Sequence, residues 1–287
     1  MRASGESRIG GATHVVGIVG WPVEHSLSPA IHNAAFAAAG LDWVYVPLPV
    51  PPQELRDALS GLAALGFRGV NITMPHKTEA ADLIGGLSVD ARLLRAVNAV
   101  VVHGDDLEGE NTDAPGFARF LERDAGFDPA GRTALIYGSG GAARACALAL
   151  ARAGVARLTV AARDETRAAP LVSMVEALDV PVASVRPGEV GKLAFDVVVN
   201  ATPVGGPGAE QVHPSLPLLG AGVLVVDLLY DPPTTDLVQR AKEAGAMALG
   251  GLGHLLEQAA LSFELWTGTP APLDVMSAAA LAVLAER

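Results

Sequence analysis

Runs of apolar residues that suit buried β-strands alternate along this chain with Ala- and Leu-rich segments that suit helices. Strands that alternate with helices form mostly parallel sheets through βαβ units. The pattern therefore predicts an α/β protein. In the first half it predicts strands at His14–Val19, Trp43–Pro47, Gly69–Ile72 and Asn98–Val102, and helices at Pro29–Ala39, Pro52–Leu65 and His76–Ile84.

The second half continues the alternation with shorter strands. The predicted strands are Ala134–Tyr137, Arg157–Ala161, Val182–Val185, Asp196–Asn200, Leu224–Asp227 and Ala246–Ala248. A helix should begin within Gly140–Ala143, and two helical runs, Leu252–Thr267 and Pro272–Ala285, follow the last strand. This half therefore has the pattern of a second α/β unit.

The chain is long enough for two cores. Its 287 residues exceed the usual size of one compact domain. Pro115 and Gly116 interrupt the pattern and place the boundary near residues 113–116. We expect a disordered tail over residues 1–12, a first domain over 13–113, a second over 114–250 and a C-terminal helical segment over 251–287.

Composition narrows the class of protein. Half of the residues are apolar and only 18% are charged, which is typical of a globular protein. The apolar stretches are too short to span a membrane and the N-terminus does not resemble a secretory signal, so we expect a cytoplasmic protein. The single cysteine, Cys146, excludes an internal disulfide and a Cys-based metal site. A net charge of −11 argues against nucleic acid and favours a small-molecule ligand.

The strongest local motif follows the strand predicted at Ala134–Tyr137. There the chain reads Gly-Ser-Gly-Gly-Ala-Ala, a G-x-G-x-x-A pattern before an Ala- and Leu-rich helix. The first glycine permits a tight turn, and the second lets a pyrophosphate approach the backbone. The helix N-terminus adds free N–H groups and the positive end of a dipole. The motif predicts a dinucleotide site formed by Gly138, Ser139, Gly140, Gly141 and Ala142.

The end of the next strand bears on the choice of dinucleotide. An NAD enzyme usually places an acid there against the ribose 2′-hydroxyl, whereas this strand runs into Arg163. Arg163 and Arg167 could bind a 2′-phosphate, because guanidinium groups match phosphate oxygens. Asp164 leaves an alternative open, since it could accept from a ribose hydroxyl or cap the next helix. The sequence favours NADP.

Ser26 and Ser28 lie in a loop that leads into a predicted helix at Pro29. Two hydroxyl groups at a helix entrance can both donate to a carboxylate. A helix-capping serine followed by proline explains the same residues, so both interpretations stay open. His25 and His32, in the same segment, are expected to brace the loop.

Asn71 and Thr73 lie at the end of a predicted strand, and Lys77 lies at the start of the next helix. A cation there opposes the helix dipole, so Lys77 does not serve stability. Only three of the 20 lysine and arginine residues are lysines. Both facts favour a functional role for Lys77, although a solvated surface lysine is an alternative.

In combination the motifs resemble the shikimate dehydrogenase family. They follow the family's order over nearly the whole chain after the first dozen residues: Gly20–Asn33, Asn71–Lys77, Ala96–Asn98, Asn111–Asp113 with Gly116-Phe117, Asn200–Pro203 and Gly251–Gly268. Six separated motifs in order are far more specific than any one of them. The resemblance implies an N-terminal substrate-binding domain, a Rossmann-like dinucleotide-binding domain, a cleft between them, and C-terminal helices that return to the first domain.

The resemblance also implies a reaction, the reversible reduction of 3-dehydroshikimate to shikimate with NADPH in chorismate biosynthesis. Lys77 and Asp113 would form the catalytic pair. Ser26 and Ser28 would hold the substrate carboxylate. The other implied substrate residues are Asn71, Thr73, Asn98, Tyr230 and Gln258, and the cofactor residues, beside the glycine loop, Arg163 and Arg167, are Asn200, Thr202 and Gly251. The chemistry requires no metal.

Three other functions share parts of this pattern. A quinate or quinate/shikimate dehydrogenase using NAD has the same fold and chemistry, and a methylenetetrahydrofolate-type dehydrogenase has a similar domain order. A non-catalytic sensing module could keep the nucleotide fold. The paired serines and Arg163 favour shikimate and NADP, while the presence of both Lys77 and Asp113 disfavours a sensor. The sequence leaves monomer and homodimer open.

Overall fold

The structure is a computed structural model that describes residues 9–206 and 215–287. Two compact units share the chain: unit 1 contains the residues up to Thr112 and Leu256–Arg287, and unit 2 contains Asp113–Leu255. No helix among the described residues has the length and apolar character needed to cross a membrane.

The first residues of the expected tail, 1–8, lie outside the described residues. Residues 10–13 form a turn in which the Gly10 N–H donates to the Thr13 hydroxyl oxygen at 2.9 Å. The Thr13 hydroxyl in turn donates to a carboxylate oxygen of Asp42 at 2.7 Å. This part of the expected tail is therefore held to the rest of unit 1.

Unit 1 is built on a mixed sheet. Its N-terminal elements are β1 (His14–Gly20), α1 (Ser28–Ala38), β2 (Trp43–Pro49), α2 (Leu55–Ala64), β3 (Phe67–Ile72), α3 (Lys77–Leu83), β4 (Gly86–Leu87), α4 (Val89–Leu94), β5 (Ala99–His103) and β6 (Asp106–Glu110). The strand order is β2-β1-β3-β5-β6-β4. β1 pairs in parallel with β2 and β3, whereas β5 is antiparallel to both β3 and β6. β5 and β6 form a hairpin whose turn contains Gly104 at φ +61°, which glycine adopts without strain.

Unit 2 is built on a parallel sheet. Its elements are α5 (Asp113–Arg123), β7 (Thr133–Tyr137), α6 (Gly141–Arg152), β8 (Arg157–Ala161), α7 (Glu165–Glu176), β9 (Val182–Val185), β10 (Val197–Asn200), β11 (Leu224–Asp227), α8 (Asp236–Glu243) and β12 (Met247–Leu249). The order is β12-β11-β10-β7-β8-β9, and all of these neighbours pair in parallel. β10 and β11 are buried at every position, as their continuous apolar sequences predict. The chain ends with α9 (Leu252–Thr267) and α10 (Leu273–Ala285).

The predicted α/β class is confirmed, but several elements were missed. The sequence pattern did not predict β4, β6, α4, α5 or α8, and it predicted α7 only as a helix that Asp164 could cap, without bounds. Pro115 and Gly116 lie within α5 and do not interrupt it, because the first N–H groups of a helix have no partner within the helix and proline is tolerated there. α7 likewise contains Pro170. α8 is polar except for the buried Leu237, Val238 and Ala241.

An aromatic cluster in unit 1 encloses His32, which lies in α1. The His32 ring stacks on Tyr45 with centroids 4.5 Å apart and planes parallel, and Trp266 lies 5.4 Å away. Its side chain is fully buried, and neither ring nitrogen has a hydrogen-bond partner among the described residues. Burial lowers the pKa of His32 from 6.5 to about 3, so the ring is neutral at neutral pH. His32 therefore acts by packing and does not brace the loop by hydrogen bonds.

Replacing His32 should make the protein less sensitive to acid. Because the pKa is about 3 in the folded protein and near 6.5 in the unfolded chain, His32 takes up a proton on unfolding once the pH falls below about 6.5. The free energy of unfolding should then decrease towards lower pH, by at most about 1.4 kcal/mol per pH unit from this residue. In His32→Phe, which keeps an aromatic ring, this contribution should be lost.

Chemical denaturation of wild type and His32→Phe at several pH values between about 7.5 and 5 tests this expectation. The variant should gain stability relative to wild type as the pH falls. Identical pH dependences would contradict a neutral, buried His32.

Candidate functional site

Two loops that carry predicted site residues leave the same edge of the unit 1 sheet. In the parallel register of β1 and β3, Val19 lies opposite Ile72. The loop after β1 contains Ser26 and leads to Ser28 at the start of α1, and the loop after β3 contains Thr73 and leads to Lys77. The backbone joins them, because the Thr73 N–H donates to the Val19 carbonyl at 2.9 Å. Thr73 and Lys77 are both half-buried.

The two serines differ in structural role. α1 begins at Ser28, its N-cap residue is Leu27, and no side chain caps the helix. The Ser26 hydroxyl oxygen instead accepts a hydrogen bond from the Ser28 N–H at 3.2 Å. Ser28 is buried, and its hydroxyl hydrogen-bonds the Tyr45 hydroxyl. Helix capping therefore does not explain Ser28. Its hydroxyl and the Asn71 side chain both hydrogen-bond the hydroxyl of Tyr45.

Tyr45 and Asn71 belong to a buried hydrogen-bond network. The Tyr45 hydroxyl donates to Asn71 Oδ1 at 2.8 Å. Asn71 Nδ2 donates to the carbonyl of Asn98 at 3.0 Å and to Ser262 Oγ at 2.9 Å. Ser262 lies on α9, one turn after Gln258, and is fully buried. The network thus connects the strands β2 and β3 with the helix α9.

Asn98 extends the network to Gln258. Asn98 Nδ2 donates to the Thr112 hydroxyl at 2.9 Å, and the Thr112 N–H donates to Asn98 Oδ1 at 2.7 Å. A longer contact of 3.4 Å joins Asn98 Nδ2 to Gln258 Oε1. The structure therefore brings Ser28, Asn71, Asn98 and Gln258 together, four residues that the sequence placed in one site. Sequence reasoning missed Tyr45, which lies in β2 outside all of the motifs, and Ser262, which lies within the Gly251–Gly268 motif but was not singled out there.

Lys77 is the first residue of α3, at the same sheet edge. The preceding residue, His76, contacts the carbonyl of Val50 through Nε2 at 2.7 Å. The Lys77 carbonyl accepts from the Val97 N–H at 2.9 Å, next to Asn98 in sequence. The backbone on both sides of Lys77 is therefore held in place, which fixes where its side chain starts.

The unit 2 sheet has the geometry of a nucleotide site. β7 is the first strand of this sheet in sequence, yet it lies between β8 and β10, so the strand order reverses beside it. In parallel sheets, ligands bind outside the carboxyl ends of strands at such a point. The predicted residues Gly138–Ala142 span the loop after β7 and the start of α6, and Asn200–Thr202 lie at the end of β10 and in the loop after it.

The glycine loop fits an anionic group. Gly138 has φ +107°, and a Cβ there would lie 3.0 Å from the Ala201 carbonyl oxygen, so a side chain is excluded. At Gly140 and Gly141 no atom lies within 4 Å of the Cβ position, which leaves room over the backbone. α6 begins at Gly141, and it has neither a side-chain cap nor an acidic residue in its first turn. Its free N–H groups and dipole suit a phosphate.

Asn200 organises the neighbouring loop. Asn200 Nδ2 donates to Asp227 Oδ1 at 2.9 Å and to the Val204 carbonyl at 3.1 Å. Its Oδ1 accepts from the N–H of Thr202 at 3.0 Å and from the Thr202 hydroxyl at 2.6 Å. The amide is buried and its hydrogen bonds are all used within the protein. Asn200 therefore shapes the loop, and its predicted contact with a cofactor stays a prediction.

Asp227 is the buried partner of Asn200, and sequence reasoning did not single it out. It is fully buried at the end of β11 and accepts from the Thr235 hydroxyl at 2.6 Å and from the Leu229 N–H at 3.2 Å, in addition to Asn200. Burial raises the pKa of Asp227, and these hydrogen bonds oppose the shift. An acidic residue directly after the apolar run Leu224–Val226 was the available signal.

The residues after β8 resolve the alternative for Asp164. Asp164 is the N-cap of α7, and its carboxylate accepts from the Arg167 N–H at 3.1 Å. The Arg167 side chain also approaches Asp164, at 4.0 Å, and both are exposed. Arg163 is exposed and lies two residues after Ala161, whose carbonyl accepts from the Gly138 N–H at 3.0 Å. Asp164 thus caps the helix, and Arg163 follows the strand beside the glycine loop.

The remaining predicted residues of unit 2 are Asp113, Tyr230 and Gly251. Asp113 is buried at the start of α5, and its carbonyl accepts from Nε2 of His254 at 3.1 Å. Tyr230 is half-buried after β11. Gly251 packs against the backbone of Leu228, where a Cβ would overlap the carbonyl group. Close backbone packing alone therefore requires glycine at this position.

Comparisons with known proteins agree with this architecture. The model of the shikimate dehydrogenase substrate binding domain matches residues 18–100, and that of the shikimate 5′-dehydrogenase C-terminal domain matches residues 251–281. A protein of Desulforamulus reducens named shikimate dehydrogenase (NADP(+)) is 43% identical over 280 residues, which cover 95% of this chain and 96% of that protein.

Solved structures match over nearly the whole chain. A crystal structure of a shikimate dehydrogenase in complex with NADP+ has a TM-score of 0.89 and 36% identity, over 97% of this chain and 98% of its own. A quinate dehydrogenase from Corynebacterium glutamicum in complex with NAD has a TM-score of 0.87 and 31% identity, over 94% of this chain and 99% of its own.

The fold and the two sheet edges define a two-domain α/β protein with a Rossmann-like dinucleotide-binding domain. Within that class, the family is shown by the 43% sequence identity to a shikimate dehydrogenase over almost the full length of both chains. The chain belongs to the shikimate dehydrogenase family.

Gly251→Ala should destabilise the protein, whereas Gly250→Ala should be tolerated. A Cβ at Gly251 meets the backbone of Leu228, which cannot move without disturbing β11, while a Cβ at Gly250 would make ordinary contacts of 3.5 Å. Over-packing against backbone costs about 1–3 kcal/mol. Urea denaturation of both variants measures the difference. Equal stability of the two variants would show that close packing is not the reason for glycine at 251.

Proposed function

We propose that this chain is an NADP-dependent shikimate dehydrogenase that catalyses the reversible reduction of 3-dehydroshikimate to shikimate, a step of chorismate biosynthesis in the cytoplasm. The observation that carries the proposal is the buried network of Ser28, Tyr45, Asn71, Asn98 and Gln258 at one sheet edge. Hydroxyl and amide groups in this number suit a small ring that carries several hydroxyl groups and a carboxylate. Relatives with this function support it.

Each part of the substrate has a suitable group in unit 1. Ser26 and Ser28 would hold the carboxylate, since hydroxyl groups donate strong hydrogen bonds to an ionised acceptor, and Ser28 would turn its single proton from the Tyr45 hydroxyl to the substrate when it binds. Asn71, Thr73, Asn98 and Gln258 would bind ring hydroxyls. Tyr230, which follows β11, would also contact the substrate.

Lys77 and Asp113 would carry out the proton chemistry. NADPH supplies the hydride when it is bound. The ammonium group of Lys77 would give a proton to the ketone oxygen and stabilise negative charge that develops there. Asp113 would orient Lys77 and a substrate hydroxyl. In the oxidation direction the neutral amine takes the proton back.

The cofactor residues would come from unit 2. The backbone of Gly138, Ser139, Gly140, Gly141 and Ala142 would bind the pyrophosphate at the start of α6. Arg163 and Arg167 would bind the 2′-phosphate that distinguishes NADP from NAD. Thr202 and Gly251 would line the site, with Asn200 shaping the loop.

Quinate is the second candidate substrate, because a quinate dehydrogenase shares this fold. The identity to that protein is 31%, against 43% to a shikimate dehydrogenase over a similar share of the chain. Absorbance of the reduced nicotinamide, measured with shikimate or quinate and with NADP or NAD, tests the proposal. Shikimate with NADP should give the highest kcat/KM. A higher value with quinate and NAD would replace the proposal by its rival.

Lys77→Arg should bind shikimate and NADP but lose most of its turnover. An amine can lose and regain a proton, whereas a guanidinium group stays protonated over the working range of pH. Loss of one acid–base group costs about 10²–10⁴-fold in rate. The measurements are kcat, KM and a binding titration, with Lys242→Arg on the exposed face of α8 as control. Near-normal kcat in Lys77→Arg would mean that another residue transfers the proton.

Arg163→Ala should reduce the preference for NADP over NAD. A lost charge-assisted hydrogen bond costs about 1.5–3 kcal/mol, or roughly 10–150-fold in the ratio of kcat/KM values. Arg157→Ala, an exposed arginine at the other end of β8, is the matched control and should leave the ratio unchanged. A ratio that stays the same in Arg163→Ala would contradict the proposed role.

A further inference from the structure

The orientation of the Asn71 amide follows from its partners. Nδ2 faces the backbone carbonyl of Asn98, which can only accept hydrogen bonds. If the amide were rotated by half a turn, its oxygen would face this carbonyl oxygen, and two buried acceptors would repel each other. Nδ2 must therefore face Asn98, and Oδ1 must face Tyr45.

Both protons of the Asn71 amide are then used inside the protein. One is donated to the Asn98 carbonyl and the other to Ser262 Oγ. The Ser262 hydroxyl donates its own proton to the carbonyl of Gln258 at 3.1 Å, one turn earlier on α9. Ser262 Oγ is therefore an acceptor for Asn71, and it also lies 3.3 Å from the Thr112 hydroxyl.

Tyr45 fixes the other end of the amide. Its hydroxyl has one proton and gives it to Asn71 Oδ1. Burial raises the pKa of Tyr45, so the hydroxyl stays protonated. The Tyr45 ring is held by the parallel stack with His32. After these contacts, the Asn71 side chain has a lone pair on Oδ1 left and no proton to give.

We propose that Tyr45 and Ser262 are positioning residues, whose hydroxyl groups hold the Asn71 amide so that it meets the substrate only as a hydrogen-bond acceptor. An acceptor can bind a ring hydroxyl, which has a proton to donate, and it cannot bind a ketone. Asn71 therefore selects a non-reacting hydroxyl, and the ketone oxygen is left to Lys77. The inference rests on the proposed function for the identity of the substrate.

The first test separates binding from chemistry. Tyr45→Phe keeps the ring stack and removes the hydroxyl, and Ser262→Ala leaves one amide proton of Asn71 without an acceptor. Each should raise KM and Kd for shikimate by about 3–10-fold, since a lost neutral hydrogen bond has about this effect. The kcat and the KM for NADP should change by less than about 2-fold, because neither hydroxyl touches the reacting atoms. Thr267→Val is the control: Thr267 also bonds the carbonyl one turn earlier on α9, to Phe263, but lies outside the network.

The second test asks whether the effect passes through Asn71. Wild type and Tyr45→Phe are titrated with shikimate and with analogues that each lack one non-reacting ring hydroxyl. The loss of affinity caused by Tyr45→Phe should disappear for the analogue without the hydroxyl that Asn71 binds, and persist for the others. It should also disappear in an Asn71→Ala background.

Three results would overturn the proposal. They are an unchanged Kd in both Tyr45→Phe and Ser262→Ala, an equal loss for every analogue, or a lower Tm with normal affinity, which would indicate a structural role alone. If one variant does not fold, the other variant decides. Failure of the proposed function would give a different result, because the wild-type protein itself would then show no turnover with shikimate. The two kinds of failure can therefore be distinguished.

Discussion

The main constraint on this molecule is that a buried amide needs hydrogen-bond partners inside the protein for both of its N–H protons and for its oxygen. Both units place an asparagine at or next to a strand end, Asn71 in β3 and Asn200 in β10, and both side chains are buried. An unsatisfied buried polar group costs about 1–3 kcal/mol. The neighbouring loops and helices must therefore supply donors and acceptors at fixed places. The same bonds that satisfy the amides hold the loops in which the proposed site residues lie.

The constraint has different results in the two units. In unit 1 the network of Asn71 reaches Ser262 on α9, so a helix distant in sequence is attached to the sheet edge by polar contacts. Trp266, on the same helix, donates to the Val100 carbonyl at 3.0 Å, and a Cβ at Gly69 would occupy the place of its ring. In unit 2, Asn200 and Asp227 satisfy each other and determine the course of the loops after β10 and β11.

Sequence patterns predicted the elements that depend on residues close together in the sequence. The strands β8, β9 and β11 and the helix α9 have the predicted bounds, because short apolar runs and helical periodicity are local signals. The glycine loop was predictable for the same reason. Tyr45 and Ser262 were not, since a tyrosine in a strand and a serine in a helix show no sign of a shared partner 26 or 191 residues away. Asp227 depends on contacts that only the fold determines, whereas the cap formed by Asp164 is a local contact that the sequence indicated as one of two alternatives.

The proposed substrate contacts and the proposed cofactor contacts differ in burial and in how strongly they depend on neighbouring groups. The unit 1 network is buried, and each of its groups depends on another, so a single substitution leaves partners unsatisfied and recognition of the ring is difficult to alter. Arg163 and Arg167 are exposed, and contacts between exposed charges are weakened by salt and depend little on their neighbours. A change there has a small effect on folding. Preference for NADP or NAD can therefore change through a few surface residues, while the substrate site stays fixed by the packing of unit 1.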